Sequence, residues 1–247
     1  MPGNTPWSGN QSNKLYLQSG EFSATMKTSL LVNGVDTNAQ GIGWNGTDTP
    51  WSGRGDNKLY LQSGQFSATL KTSLSVSLVD NTVTDISWDG TNTPWSGSQA
   101  DRLYLQSGQF SATMKTSLAV GGIDLDPLGI SWDSSDTPWA GNADNKLYLQ
   151  SGQFSATLKT SVASGVDLTP TAISWDQTNT PWGGSTSDKL YLQSGQFSAT
   201  LKTSLDISGI DTGVSGIENT NRLAAGGGAV VVGKKRVGQL ALTGAGL

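Results

Sequence analysis

Short runs of alternating apolar and polar residues recur along this chain, each closed by glycine, serine or asparagine. The run KLYLQ sets Leu59 and Leu61 against Tyr60 and Gln62, and FSATLKTSLSV places Phe66, Ala68, Leu70, Leu74 and Val76 on one parity. Alternation at period two predicts β-strands. The QSGQ between the runs reads as a hairpin turn, with glycine supplying the positive φ that a tight turn needs. DISWDGTNTPW predicts a short strand around Ile86 and Trp88, a turn at Asp89–Asn92 and a further strand near Trp95. Pro94 cannot donate to a ladder, so a bulge or a short strand is expected there. Four strands per unit follow, in the order a (Ile-x-Trp), b (Thr-Pro-Trp), c (Lys-Leu-Tyr-Leu) and d (Ala-Thr-Leu-Lys-Thr-Ser). Helix signals are nearly absent.

The unit repeats. Trp7, Trp51, Trp95, Trp139 and Trp182 mark five copies at spacings of 44, 44, 44 and 43 residues. Each tryptophan is followed seven residues later by Lys14, Lys58, Arg102, Lys146 or Lys189. A period in this range suits a four-stranded propeller blade. The first copy has no strand a before Trp7, whereas GVSGIEN at 213–219 supplies a spare one after the fifth copy. Exchange of that strand would remove both open sheet edges, which would otherwise invite aggregation. The expectation is an all-β, five-bladed β-propeller over residues 1–221, four strands per blade, with the C-terminal strand at about 213–219 completing the first blade. Asn219 stands where the other copies carry Trp44, Trp88, Trp132 and Trp175.

Charge separates the last residues from the rest. Residues 1–221 hold all 19 acids and 11 of the 15 bases, a balance of −8, while 222–247 hold Arg222, Lys234, Lys235 and Arg236 and no acid. The Gly/Ala-rich segment 222–247 reads as a basic tail in which 229–232 and 237–242 form a small hairpin around 233–236, with Lys234, Lys235 and Arg236 as candidate partner-docking residues; disorder is the competing reading. The acidic body argues against nucleic acid as a partner, since neutralising phosphates takes a basic face. No apolar run is long enough to span a bilayer, so no membrane partner is expected. The chain opens on repeat sequence, MPGNTPWSGN, with no basic-then-apolar leader, which reads as synthesis in the cytoplasm without general secretion.

Composition also bears on chemistry. With no Cys there is no disulfide or thiolate metal site, and with no His the commonest general base and zinc ligand are missing. Serine therefore has no histidine to activate it. Glycoside hydrolysis needs two carboxylates in unlike environments, yet each acid position recurs around the ring and marks no blade as special. No catalytic residue, cofactor or metal is expected. The Asp/Asn clusters WDGTN and ADN could hold a cation, but turn chemistry explains them equally well. The single Arg54-Gly55-Asp56 lies in a variable loop and reads as chance.

The aromatic residues of the repeat carry the remaining candidates. Trp7, Trp51, Trp95, Trp139 and Trp182 are candidate ligand-binding platforms for sugar faces, one per blade; the competing reading makes them wedges between blades. Trp44, Trp88, Trp132 and Trp175, on the innermost strand, are expected in the core. Tyr16, Tyr60, Tyr104, Tyr148 and Tyr191 are expected to be buried with their hydroxyls satisfied. The b–c and d–a loops differ from copy to copy, whereas the a–b and c–d turns are almost the same in each. One end of the ring is thus repeated and the other individual.

SWDGTN followed by DKLYLQSG and SATLKTS resembles the extended family of NHL- and YncE-like propeller repeats. The unit TPWSG…KLYLQSGQFSATLKTS is similar to repeat proteins encoded among the virion genes of tailed bacteriophages. The resemblance covers about residues 1–221. It implies a non-enzymatic virion component (a spike, fibre or tail-associated part) that contacts host-surface glycan and docks on other virion proteins through 222–247. A soluble lectin-like propeller is the alternative, and a glycosidase the remote one.

Overall fold

The computed structural model describes residues 4–20 and 22–220. It contains twenty strands in five sheets. The second blade shows the pattern: β4 (Ala39–Ile42), β5 (Thr49–Gly53), β6 (Lys58–Gln62) and β7 (Leu70–Ser75) form one antiparallel meander. The third contains β8 (Val83–Ile86), β9 (Thr93–Gly97), β10 (Arg102–Gln106) and β11 (Met114–Ala119). The fourth contains β12 (Pro127–Ile130), β13 (Thr137–Gly141), β14 (Lys146–Gln150) and β15 (Leu158–Ala163). The fifth contains β16 (Pro170–Ile173), β17 (Thr180–Gly184), β18 (Lys189–Gln193) and β19 (Leu201–Asp206). The first blade joins β1 (Thr5–Gly9), β2 (Lys14–Gln18) and β3 (Met26–Leu31) to β20 (Val214–Ile217), in the order β20-β1-β2-β3. Trp7 pairs with Ile217, so the last strand fills the vacancy at the beginning and the ring is a closed five-bladed propeller.

The register explains why the repeat looks as it does. Trp51 lies opposite Tyr60 and Ile42, while Leu59 and Leu61 point to the other face of the same sheet. The Leu face of one blade packs on the Ile-Trp-Tyr face of the next: Leu15 and Leu17 meet Ile42, Trp51, Tyr60 and Phe66. The closing interface repeats this, with Leu190 of the fifth blade against Trp7, Tyr16 and Ile217 of the first. Each Trp stacks on its cross-strand Tyr with ring centroids 4.0–4.2 Å apart. That offset stacking adds about 0.5–1.5 kcal/mol per pair beyond area burial.

Two local expectations change. Pro94 sits in a regular strand, pairing with Leu105, and the register shift falls instead in the a–b pairing between Val83 and Asp85. The Pro94 carbonyl accepts from Ser87 N at 2.9 Å, so the missing N–H falls at the last rung of a short ladder. The c–d connection is also longer than a tight hairpin. Strand d begins at Leu70, and Phe66 lies in the turn with φ of 62°. All five equivalent phenylalanines are left-handed, a strain of about 1–3 kcal/mol each that burial of the ring against the neighbouring blade offsets. The outermost strand is mostly exposed, with Leu70 at 40%.

Candidate binding face

The a–b and c–d turns share one end of the ring. There the Asp89 carboxylate accepts from Thr91 N at 2.7 Å and Asn92 N at 2.5 Å, closing the turn around itself. Asn92 Oδ1 then accepts from Gly108 N at 3.2 Å, and Thr93 donates to Gly108 O at 3.0 Å, tying the a–b turn to the c–d turn. Gln153 of the next blade donates its amide to Asp89, and Gln196 likewise to Asp133 one blade on. The acid oxygens of WDGTN are thus occupied by their own turn and a neighbouring amide. Among the described residues, no group of three acidic side chains converges as a metal site would require.

Between the third and fourth blades these turns enclose an open cavity of about 380 Å³, lined by Asp89, Thr91, Asn92, Lys115, Trp132 and Gln153. Trp132 projects from just beyond β12 and is half-buried. Trp44, Trp88 and Trp175 occupy the equivalent places and are also half-buried, while Asn219 at the closing junction is buried. Lys115 makes no ion pair among the described residues, because Asn92 stands where Asp48 and Asp136 hold Lys71 at 2.8 Å and Lys159 at 2.6 Å. Burial alone would raise the Asp48 and Asp136 carboxyls, but those ammonium groups hold both below their ordinary range.

This reverses the expected roles of the two tryptophan sets. Trp7, Trp51, Trp95, Trp139 and Trp182 have no exposed surface at all and are the blade wedges, so the platform expectation is corrected: no sugar can stack on them here. The tryptophans expected in the core are the accessible ones. Both sets were visible as recurrent Trp. What distinguishes them is place: Trp95 is flanked by strands on both sides, whereas Trp88 lies past the end of strand a and meets solvent. Lys234, Lys235 and Arg236, the candidate docking residues, lie outside the described residues.

The opposite end is built by the d–a and b–c loops. Asp36 accepts from Tyr60 OH at 3.3 Å, Asn38 N at 2.8 Å, Gly55 N at 3.1 Å and Asp56 N at 2.9 Å. Asp80, Asp124, Asp167 and Asp211 repeat the arrangement, and Asp211 takes Tyr16 OH at 3.0 Å across the closing junction. Each carboxylate packs so closely on Gly9, Gly53, Gly97, Gly141 or Gly184 that a Cβ there would overlap it. The Tyr hydroxyls are satisfied, as expected. Burial and the adjacent carboxylate raise their pKa values, that of Tyr16 to about 12.

The axis departs from five-fold symmetry. Asp85 stands where the other blades carry Gly41, Gly129, Ala172 and Gly216, and Glu218 where they carry Gly43, Ser87, Ser131 and Ser174. Glu218 accepts from Ser174 at 2.6 Å and from Ser87 at 3.5 Å, spanning the centre. Asp85 accepts from Ile130 N at 2.9 Å, and burial raises its pKa well above the ordinary carboxylate value. The expectation that no acid is singled out is therefore corrected. Both acids are nonetheless almost fully buried, at 1% and 2% exposure.

No protein-family model matches the chain, nor does the sequence of any curated protein. Solved structures do match in shape. A chain of the nidogen/laminin complex aligns with a TM-score of 0.61 at 11% identity, over 89% of this chain and 99% of that one. The glutaminyl cyclase of Myxococcus xanthus aligns with a TM-score of 0.50 at 12% identity, over 73% and 70%. The likeness is one of fold. Propellers of this shape include an enzyme as well as a member of a binding complex.

Proposed function

We propose that this chain is a non-enzymatic binding component of a bacteriophage virion, a ring that offers its turn end to host-surface glycan and docks on other virion proteins through 222–247. One observation carries the glycan part: a half-buried tryptophan, a turn amide and a lysine meet at a blade junction around an open cavity, and the repeat places the same tryptophan at Trp44, Trp88 and Trp175. An aromatic face with a few convergent polar groups is the usual make-up of a small-ligand site. Weak, equivalent sites on one rigid face gain avidity from simultaneous engagement. The virion setting rests on the resemblance of the repeat unit to phage virion repeats. Burial of Asp85 and Glu218 favours this reading over a glycosidase, because neither carboxyl is open to a substrate. A glycan array run on the full chain and on Trp132→Ala tests it. Binding of at least one glycan, weakened roughly tenfold or more by the substitution, is expected. Silence on every glycan would remove the glycan part and leave a scaffold.

A further inference from the structure

We infer that residues 229–242 of one molecule dock on the loop end of a second copy, joining rings head to tail. This rests on reading 222–247 as a docking segment, and it names the receptor; in such a stack only the terminal ring keeps its turn end open to glycan.

The loop end is apolar where it faces outward. Leu78 is fully exposed at 102%, Leu168 is at 69% and Leu125 at 63%, and Val79, Val166 and Ile210 add smaller aliphatic surface in the same d–a loops. Three successive d–a loops thus each present an exposed leucine on the same end of the ring. The same end is acidic. Asp101, Asp126, Asp188 and Asp206 make no ion pair among the described residues, and the five buried aspartates of the Tyr clasps lie just beneath. The carboxyls crowd one another: Asp101 is raised by burial and then by Asp126, Asp124 and Asp80, and Asp188 by burial and then by Asp167, Asp211 and Asp206.

The segment AVVVGKKRVGQLAL at 229–242 is the chemical complement, aliphatic at both ends with Lys234, Lys235 and Arg236 between and no acid. Where the described chain ends decides which copy it meets. Thr220 donates to Asn4 O, and Asn4 accepts from Gly20 N, so the chain leaves the ring at the turn end, opposite the loop end. Nine steps run from Thr220 to Ala229, a reach of about 32 Å at most when fully extended. Passing outward over three strand spacings of about 4.8 Å and then down a blade edge of about 20 Å already needs roughly 34 Å before any inward turn. Ala229 falls short of the molecule's own loop end, which only the later residues of the segment could reach, whereas a copy stacked below the turn end is within reach of the whole segment; this favours contact between copies. Such a contact is heterologous and does not close on itself, so longer assemblies are expected as concentration rises.

Sedimentation velocity of the full chain across a concentration series is the test, with two variants. The wild type should associate progressively, more weakly at high salt because the charges are exposed. Lys234→Glu/Lys235→Glu/Arg236→Glu should weaken association at least tenfold, and so should Leu78→Ser/Leu125→Ser/Leu168→Ser, whose side chains are too exposed to affect folding. A synthetic 229–242 peptide should compete. A wild type that stays monomeric at about 100 µM would overturn the inference, as would association unchanged in either variant. Peptide binding to a chain that remains monomeric would point to docking within one molecule and would overturn it equally.

Discussion

At the scale of single residues, the aspartate clasp holds neighbouring blades in place. Asp124 satisfies Tyr148 OH and the backbone N–H groups of Asp126, Ala143 and Asp144 at once, so truncating it orphans four donors. Asp124→Ala should cost about 2–4 kcal/mol, whereas Tyr148→Phe, which removes one partner and leaves the carboxylate its backbone donors, should cost about 1; urea titrations would rank them. The tyrosines also set a pH limit. Their folded pKa values lie above the unfolded value near 10, so the stability they contribute is complete below about pH 10 and is lost as pH rises through the folded values. The unfolding midpoint should fall between pH 10 and 12, and less steeply in a multiple Tyr→Phe variant. Asp85 follows the same rule in a lower range. Its raised carboxyl contributes stability at acid pH that is lost as pH climbs through the folded value. Asp85→Asn should therefore flatten the decline in midpoint between mildly acid and neutral pH; an unchanged slope would mean that the group stays ionised.

At the scale of elements, the two tryptophan positions should separate stability from binding. Trp95 is wholly buried and stacked on Tyr104, so Trp95→Ala should cost about 3–5 kcal/mol. Trp132 is half-buried at the cavity, so Trp132→Ala should cost about 1–2 kcal/mol while removing most of that junction's ligand contact. Thermal denaturation beside the glycan array would show both. Equal losses of stability would mean that Trp132 is as much a wedge as Trp95. The strand order, the hairpin pattern and the satisfied tyrosines were legible in the sequence, because period-two alternation and cross-strand spacing are local. The left-handed Phe66 was not. Its parity fits strand d, and only the packing of its ring on the next blade draws it into the turn.

At the scale of the whole molecule, closure is the decisive feature. Val214 and Ile217 are buried against Trp7, Tyr16 and Leu190, and their burial alone is worth roughly 3–6 kcal/mol. Deleting 213–219 should unfold or aggregate the protein, because β1 would become an open edge. Deleting 229–247 should change the unfolding free energy by less than about 0.5 kcal/mol at low concentration, because the twenty strands of the ring all lie within 5–217. Calorimetry on the two deletions would decide, and similar losses would contradict the closure energetics.

What the sequence determined by itself was the repeating and the paired: five copies, four strands in each, a missing first strand and a spare last one. These follow from periodicity and from the need to cover sheet edges, and both can be read along one dimension. Only the tertiary structure decided which aromatic set is buried and which meets solvent, since Trp95 and Trp88 differ in whether a strand lies on either side. It also decided that Asp85 and Glu218 meet at the axis. Residues 133 positions apart come together only when five sheets turn about one line, and no local pattern encodes that approach.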